Sequence, residues 1–337
     1  MLNKRPLGTD GPQVSELCLG TMMFGDQTDE AEAGLILSAF LAAGGNFIDT
    51  ADTYADGDSE RILGRLIEGQ AAPVFLASKV GNKVAGKGGG LSPGWIRQAL
   101  GDSLDRLRRP ALDLYYLHRD DEETPLDVVI GALGQELADG RIRAWGFSNF
   151  RGWKIAEMLR IADRLGVARP IAGQPYYHAL YRAMEVDYIP ACRHFGLGVV
   201  PYSPLARGVL TGKYTDGLPS GSRASRGDRR ITQTEMRPEL IEAAREFERH
   251  VTPSGRRVAD VALRWVLENE AVSSVLIGPR TAAQMDAYLV GPGTAYDDTD
   301  EVAVERIVPT GTVVGAYTDP AYPVRGRFRT TGAKVDF

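Results

Sequence analysis

A chain of 337 residues with 39 Lys and Arg against 44 Asp and Glu carries a formal net charge of −5, which argues against a nucleic-acid groove. Its content of 43% hydrophobic and 25% charged residues suits a globular protein with a sizeable core. Two cysteines, Cys18 and Cys192, give neither a disulfide framework nor a metal-ligand spacing, so no metal is expected.

The turn signal GTDGP at 8–12 predicts a short hairpin at the start of the chain. The start has no long apolar run of a signal peptide, and no stretch reaches the roughly 18–20 apolar residues of a membrane span. The expectation is therefore a cytoplasmic protein with neither a membrane nor a nucleic-acid partner. An apolar run at 17–21 leads into LGTMMFG, whose glycines leave backbone amides open, and a helical pattern covers 30–43. The strand at 46–50 lies in NFIDTADTY, where apolar residues give way to Asp49, with Tyr54 five positions on. A carboxylate ending a buried strand is costly unless something is paired with it.

A helix at 59–68 precedes a strand at 74–79, VFLASK, which ends at Lys79. The stretch GKGGG at 86–90 lacks the GK[ST] of a phosphate-binding loop and reads as a mobile loop beside a substrate mouth. A helix at 93–108 leads to the strand DLYYLH, 113–118, which ends at His118. Helices at 125–139, 152–165 and 186–194 then alternate with strands at 142–148, 171–175 and 198–203. The segment 204–237 is too long for an ordinary connection. Two helical patterns at 238–249 and 257–268 precede the last strand, 274–277, which runs into IGPRTAAQ and a further helix.

Eight strands separated by helices predict a parallel sheet closed into a (β/α)8 TIM barrel. To this are added an N-terminal β-hairpin, two extra helices and the long loop after strand seven. Residues 1–337 are expected to form a single domain, with 308–337 an irregular tail. Catalytic side chains in such barrels come from the C-terminal ends of several strands. Asp49, Lys79 and His118 end three consecutive strands, and Tyr54 follows the first of these.

Their chemistry fits a proton donor. A tyrosine pKa near 10 is too high for ready exchange at neutral pH, and a nearby ammonium lowers it. Asp49 would keep Lys79 charged, and His118 would hold a carbonyl oxygen against Tyr54, which suits general-acid reduction of a carbonyl. Singly, each has a plainer reading: a strand-end cap, a rim lysine, an interior histidine, a loop anchor. Together at successive strand ends they point to a site. Met22, Met23, Phe24, Trp95 and Tyr177 are equally candidates for pocket or core.

With Asp49, Tyr54, Lys79 and His118 in these contexts, the sequence resembles the aldo-keto reductases from its first turn to about residue 290. The likeness is strongest to the branch holding the β subunits of voltage-gated potassium channels and many microbial reductases. It is carried by GFSNF at 146–150, QPYYH at 174–178, YSPLARGVLTGKY at 202–214 and SRAS at 222–225. The resemblance implies reduction of a small-molecule aldehyde or ketone with NADPH in preference to NADH.

It further implies that Gly20, Thr21, Met22 and Asp49 flank the cofactor, that Ser148, Asn149 and Gln174 hold its carboxamide, and that Tyr202 stacks on its ring. Ser203, Pro204, Leu205, Arg207 and Gly208 would follow the pyrophosphate, with Lys213 and Arg223 at the adenine-side phosphates. Gly278, Arg280 and Gln284 come after the last strand, Arg280 meeting the 2′-phosphate. Where the branch has Glu-Asn, this sequence has Ala287 and Tyr288. Two other readings are a regulatory subunit on the same scaffold with residual reductase activity, and a Schiff-base lyase using Lys79. The sequence carries no signal of oligomeric state.

Overall fold

The computed structural model describes residues 1–70, 73–215, 217–222, 224–227 and 229–316. The chain begins with the expected hairpin, β1 (Lys4–Pro6) and β2 (Gln13–Ser15), with Lys4 opposite Ser15. Its turn depends on Gly8, whose φ of +85° is left-handed and whose Cβ, if present, would lie 2.7 Å from the Gly196 carbonyl oxygen. Arg5 donates to the carbonyls of Leu267 and Val272, and the Thr9 N–H donates to the Gly196 oxygen. The hairpin thus caps the N-terminal mouth of the sheet behind it.

That sheet has eight parallel strands: β3 (Leu17–Gly20), β4 (Phe47–Asp49), β5 (Phe75–Val80), β6 (Leu114–Leu117), β7 (Trp145–Ser148), β8 (Ala172–Gln174), β9 (Gly198–Val199) and β10 (Val275–Ile277). Their order is β10-β3-β4-β5-β6-β7-β8-β9. Parallel bridges Val199–Val272 and Tyr202–Leu276 bring the last strand of that order back to the first, closing the (β/α)8 barrel. β9 is shorter than the predicted 198–203 because its later residues meet their neighbours only through single bridges, Tyr176–Tyr202 on one side and Tyr202–Leu276 on the other.

Alternation along the strands divides the core in two. Cys18, Phe47, Ala77, Leu114, Tyr116, Ala172 and Val200 fill the barrel interior together with Leu7 and Val14 of the hairpin. Leu17, Leu19, Ile48, Leu76, Tyr115, Leu117 and Phe147 face outward into the shell of helices.

That shell comprises α1 (Glu30–Ala42), α2 (Asp58–Ile67), α3 (Pro93–Leu107), α4 (Leu126–Ala138), α5 (Gly152–Leu165) and α6 (Tyr188–His194). The long segment after β9 holds a 3-10 turn at Ala206–Thr211 and a short helix, α7 (Arg229–Thr234). Next come the two expected helices, α8 (Pro238–Val251) and α9 (Val258–Glu268), and β10 is followed by α10 (Ala282–Val290). Side-chain caps start several of these, Asp29 for α1, Ser92 for α3 and Thr281 for α10.

One further helix, α11 (Asp298–Ile307), was not expected from the sequence and begins with an Asp297 capping box. It is fastened where buried Asp300 accepts from both terminal nitrogens of Arg256, at 2.6 and 2.8 Å, and lies 2.8 Å from His250 Nε2. Residues 308–316 of the expected tail are irregular, and Arg182 and Arg237 bind their carbonyls; 317–337 lie outside the described residues. Among the described residues no helix is long and apolar enough to cross a membrane.

Candidate active site

The interior positions of the strands, followed two residues at a time toward the C-terminal rim, arrive at Gly20, Asp49, Lys79, His118, Ser148, Gln174, Tyr202 and Gly278. The register supports this layer directly, with Gly20 opposite Asp49 and Ser148 opposite Gln174. All of them except Lys79 line one cavity of about 1290 Å3, which also takes in Tyr54, Met22, Asn149, residues 203–205, Arg207, Gly208, Lys213, Arg280 and Gln284.

Lys79 lies beneath that floor, fully buried. Its ammonium pairs with Asp49, donates to the Thr50 carbonyl at 2.7 Å and reaches the Tyr54 hydroxyl at 3.1 Å. Burial works against the Lys79 cation, but Asp49 and Tyr54 outweigh it and hold its pKa above the ordinary lysine value. Burial also raises the Asp49 carboxyl, against the pull of Lys79 and a 3.0 Å hydrogen bond from Gln174 Nε2. With an ammonium in contact with it, the ion pair is the form that the geometry supports.

Tyr54 opens a 3-10 turn, Tyr54–Gly57, in which Ala55 and Asp56 adopt left-handed φ values of 47° and 53°. Such backbone costs about 1–3 kcal/mol per residue and persists where the surroundings impose it. The His118 ring stands edge-on to Tyr54, centroids 6.0 Å apart. Asn82 Nδ2 lies 3.0 Å from His118 Nδ1, and Asn149 Nδ2 donates to the His118 carbonyl at 3.0 Å. The Tyr202 hydroxyl donates to Asn149 Oδ1 at 2.9 Å, and the Ser148 hydroxyl donates to the Gln174 carbonyl at 2.8 Å. One polar network therefore joins the four expected residues to Ser148, Asn149 and Gln174, the three expected around a carboxamide, and to Tyr202.

Beyond Tyr202 the backbone turns left-handed at Ser203, Ala206, Arg207 and Gly208, with φ of 60°, 47°, 51° and 102°. Turns of this kind can aim successive N–H groups at an anion. The Arg207 guanidinium lines the cavity but is anchored to buried Glu235 at 2.8 Å, and Glu235 also accepts from Tyr176 and Thr234. Behind them His178 Nε2 contacts the Tyr176 hydroxyl at 2.8 Å, and burial, with help from Arg207, brings the His178 pKa down to about 3, leaving it neutral. Past β10 the Arg280 N–H donates to Gln284 Oε1 at 2.9 Å and its guanidinium reaches Gln27 at 3.2 Å, while nothing stands within 4 Å of a Cβ built on Gly278.

Some expected residues are placed elsewhere. Thr21 does not line the cavity; following an inward Gly20, it faces outward and bonds Ser59 at 2.8 Å. Arg223 lies outside the described residues. Of the five pocket-or-core candidates only Met22 lines the cavity, whereas Met23, Phe24, Trp95 and Tyr177 are buried. The sequence reading also passed over Asn82, Lys83, Arg119, Glu235, Arg256 and Arg257. A polar residue three positions after a strand-end lysine was the available signal for Asn82.

The cavity suits an extended anionic dinucleotide. Amides at Asn149 and Gln174 and an aromatic ring at Tyr202 belong to the hydrogen-bonded network around Asp49 and His118. Cations at Lys213, Arg256, Arg257 and Arg280, with the open face of Gly278, also line the cavity.

Residues 16–291 match the aldo/keto reductase family. The chain is 36% identical over 296 residues to the uncharacterized oxidoreductase YrpG of Bacillus subtilis, covering 83% of this chain and 87% of the relative. It is 33% identical to a probable voltage-gated potassium channel subunit beta of Oryza sativa, over 81% of this chain and 85% of that one. Aflatoxin B1 aldehyde reductase member 2 of Mus musculus is 40% identical over a shorter stretch, 58% of this chain and 53% of its own length.

Proposed function

The chain belongs to the aldo/keto reductase family and is an NAD(P)H-dependent oxidoreductase, and on that premise we propose that it reduces an aldehyde or ketone to an alcohol with NADPH, Tyr54 giving the proton. The observation that carries this reading is the 3.1 Å contact between the Lys79 ammonium and the Tyr54 hydroxyl at the floor of the cavity.

The reduced nicotinamide, when bound, supplies the hydride that the carbonyl carbon receives. Tyr54 releases its phenolic proton to the carbonyl oxygen, and the Lys79 ammonium stabilises the phenolate left behind. Asp49 holds that ammonium in place, and Gln174 holds Asp49. The Asn82 amide, donating to His118 Nδ1, leaves the imidazole proton on Nε2, where it can donate to the same carbonyl oxygen. Asn149 and Gln174 are the amides suited to the carboxamide, Tyr202 the surface for the ring, and Arg280 the cation for a 2′-phosphate. A Schiff-base lyase would need a neutral amine. Lys79, paired with Asp49 and held above its ordinary pKa, opposes that reading. A cytoplasmic setting is part of the proposal, supported by two buried cysteines that are not joined in a disulfide.

Oxidation of NADPH and NADH against a panel of aldehydes and ketones tests the reading, with Arg280→Ala in parallel. NADPH is expected to be the better reductant. The variant should raise the Kd for NADPH about tenfold or more while leaving NADH within about twofold, the size of one charge-assisted hydrogen bond. Equal losses for both dinucleotides would place the 2′-phosphate elsewhere, and no oxidation with any carbonyl would overturn the function.

A further inference from the structure

The cavity wall beside Tyr54 and His118 carries few apolar side chains. The aromatic candidates for a hydrophobic clamp, Phe24, Trp95 and Tyr177, are buried in the core, leaving Met22, Thr53, Asn82, Lys83 and Arg119 around the reacting groups. Two of these five are cations. Among the described residues, neither the Lys83 ammonium nor the Arg119 guanidinium has an ion pair or a hydrogen bond. By contrast, the cavity residues Arg207, Arg256 and Arg257 are each paired with a carboxylate.

The nearby acids do not supply the missing partners. Asp120 is paired with Lys154. Asp121 accepts from the N–H groups of Leu91 and Glu123, at 2.7 and 3.0 Å, and from the Thr124 hydroxyl at 2.7 Å. The two carboxylates that do line the cavity, Asp49 and Asp260, are committed to Lys79 and Arg257.

The cations stand on loops that are fixed to each other. Arg119 directly follows His118, and Lys83 directly follows Asn82, whose amide meets the His118 ring. The loop carrying Lys83 is closed by the Val84–Gly88 bridge and rests on the Arg119 loop through the bond from Leu91 to Asp121. Gly90 makes that approach possible. Its φ is +78°, and a Cβ there would lie 2.9 Å from Asp121 Oδ2. The glycine-rich GKGGG stretch thereby fixes a charge at the mouth.

We infer that the substrate is a carbonyl compound bearing an anionic group, a carboxylate or a phosphate, held by Lys83 and Arg119 while its carbonyl meets Tyr54 and His118. This rests on the reductase reading and deepens it. Both cations are exposed, so the attraction is screened by salt, whereas an arginine can still hold either oxyanion through two parallel bonds.

Matched substrate pairs test it: 4-carboxybenzaldehyde against 4-methylbenzaldehyde for the carboxylate, and glyceraldehyde 3-phosphate against glyceraldehyde for the phosphate. The anionic member of at least one pair should have the higher kcat/KM, by about tenfold or more, and which pair shows it identifies the anion. In the Lys83→Ala/Arg119→Ala double variant that ratio should fall to near one, chiefly through KM, and raising the salt concentration should lower it in the wild type. Equal reduction of both members of each pair, or a preference that survives the double variant, would overturn the inference while leaving the reductase reading intact. Should no carbonyl be reduced, the reductase reading itself fails. Calorimetric binding of 4-carboxybenzaldehyde and 4-methylbenzaldehyde to the wild type and the double variant then still decides whether the cations select an anion.

Discussion

Residues near the site differ in whether their charge is matched. Asp52, three positions after Asp49, is almost fully buried, and neither carboxylate oxygen has a hydrogen-bond partner among the described residues. Burial, reinforced by Glu60 and opposed by Arg106 and Lys79, raises its pKa from 3.8 to about 7; the buried Tyr115 also faces it. A carboxyl that holds its proton more tightly folded than unfolded stabilises the fold while protonated. That stability is lost as pH rises from about 4 to about 7 and does not return above it. Asp52→Asn removes the titrating group, so the variant should gain on the wild type across that window, by on the order of 2–4 kcal/mol at pH 8 in urea unfolding. A stability difference independent of pH would show that Asp52 is not the group responsible. Thr21 carries a lesson at the same scale: once Gly20 is placed inward, the period of two turns Thr21 outward. The position of Asn82 after a strand-end lysine was a signal, but its role was not, since its partner His118 lies 36 positions away in sequence.

At the scale of elements, the segment after β9 turns through its left-handed residues and is held there by one buried pair. Arg207 is 7% and Glu235 1% exposed in their side chains, and Glu235 gathers Tyr176 and Thr234 as well. Removing one member of a buried pair leaves the other desolvated without a counter-charge, so Glu235→Ala should cost about 3–5 kcal/mol of stability. Replacing both, as Arg207→Met with Glu235→Leu, should cost clearly less. A single variant within about 1 kcal/mol of the wild type would mean that water already serves Arg207. The sequence marked this segment as long and rich in glycine and arginine but could not show that Arg207 is turned onto Glu235, because an ion pair 28 positions apart has no local signature. Strands were legible because apolar runs broke off at polar residues, and α11 was overlooked although Asp297 and Asp300 form its capping box.

Across the whole molecule, the barrel collects side chains from every part of the sequence onto one rim, and its fold was readable because strand and helix alternate eight times. The convergence of the candidate residues was readable in outline for the same reason: residues two apart on a strand share the interior, so each strand's last inward residue had to reach the mouth. Which loop residues join them, among them Asn82, Lys83 and Arg119, depends on loop conformations that no period encodes. In the proposed mechanism Tyr54 delivers the proton while Lys79, Asp49 and His118 prepare it. Single-turnover oxidation of bound NADPH on mixing with a carbonyl substrate, followed by loss of reduced-nicotinamide absorbance in wild type and Tyr54→Phe, tests it most directly. The variant should bind NADPH with unchanged Kd and slow the absorbance decay by a factor of about 10²–10⁴, the usual weight of a general acid; a decay as fast as the wild type's would contradict the assignment of Tyr54.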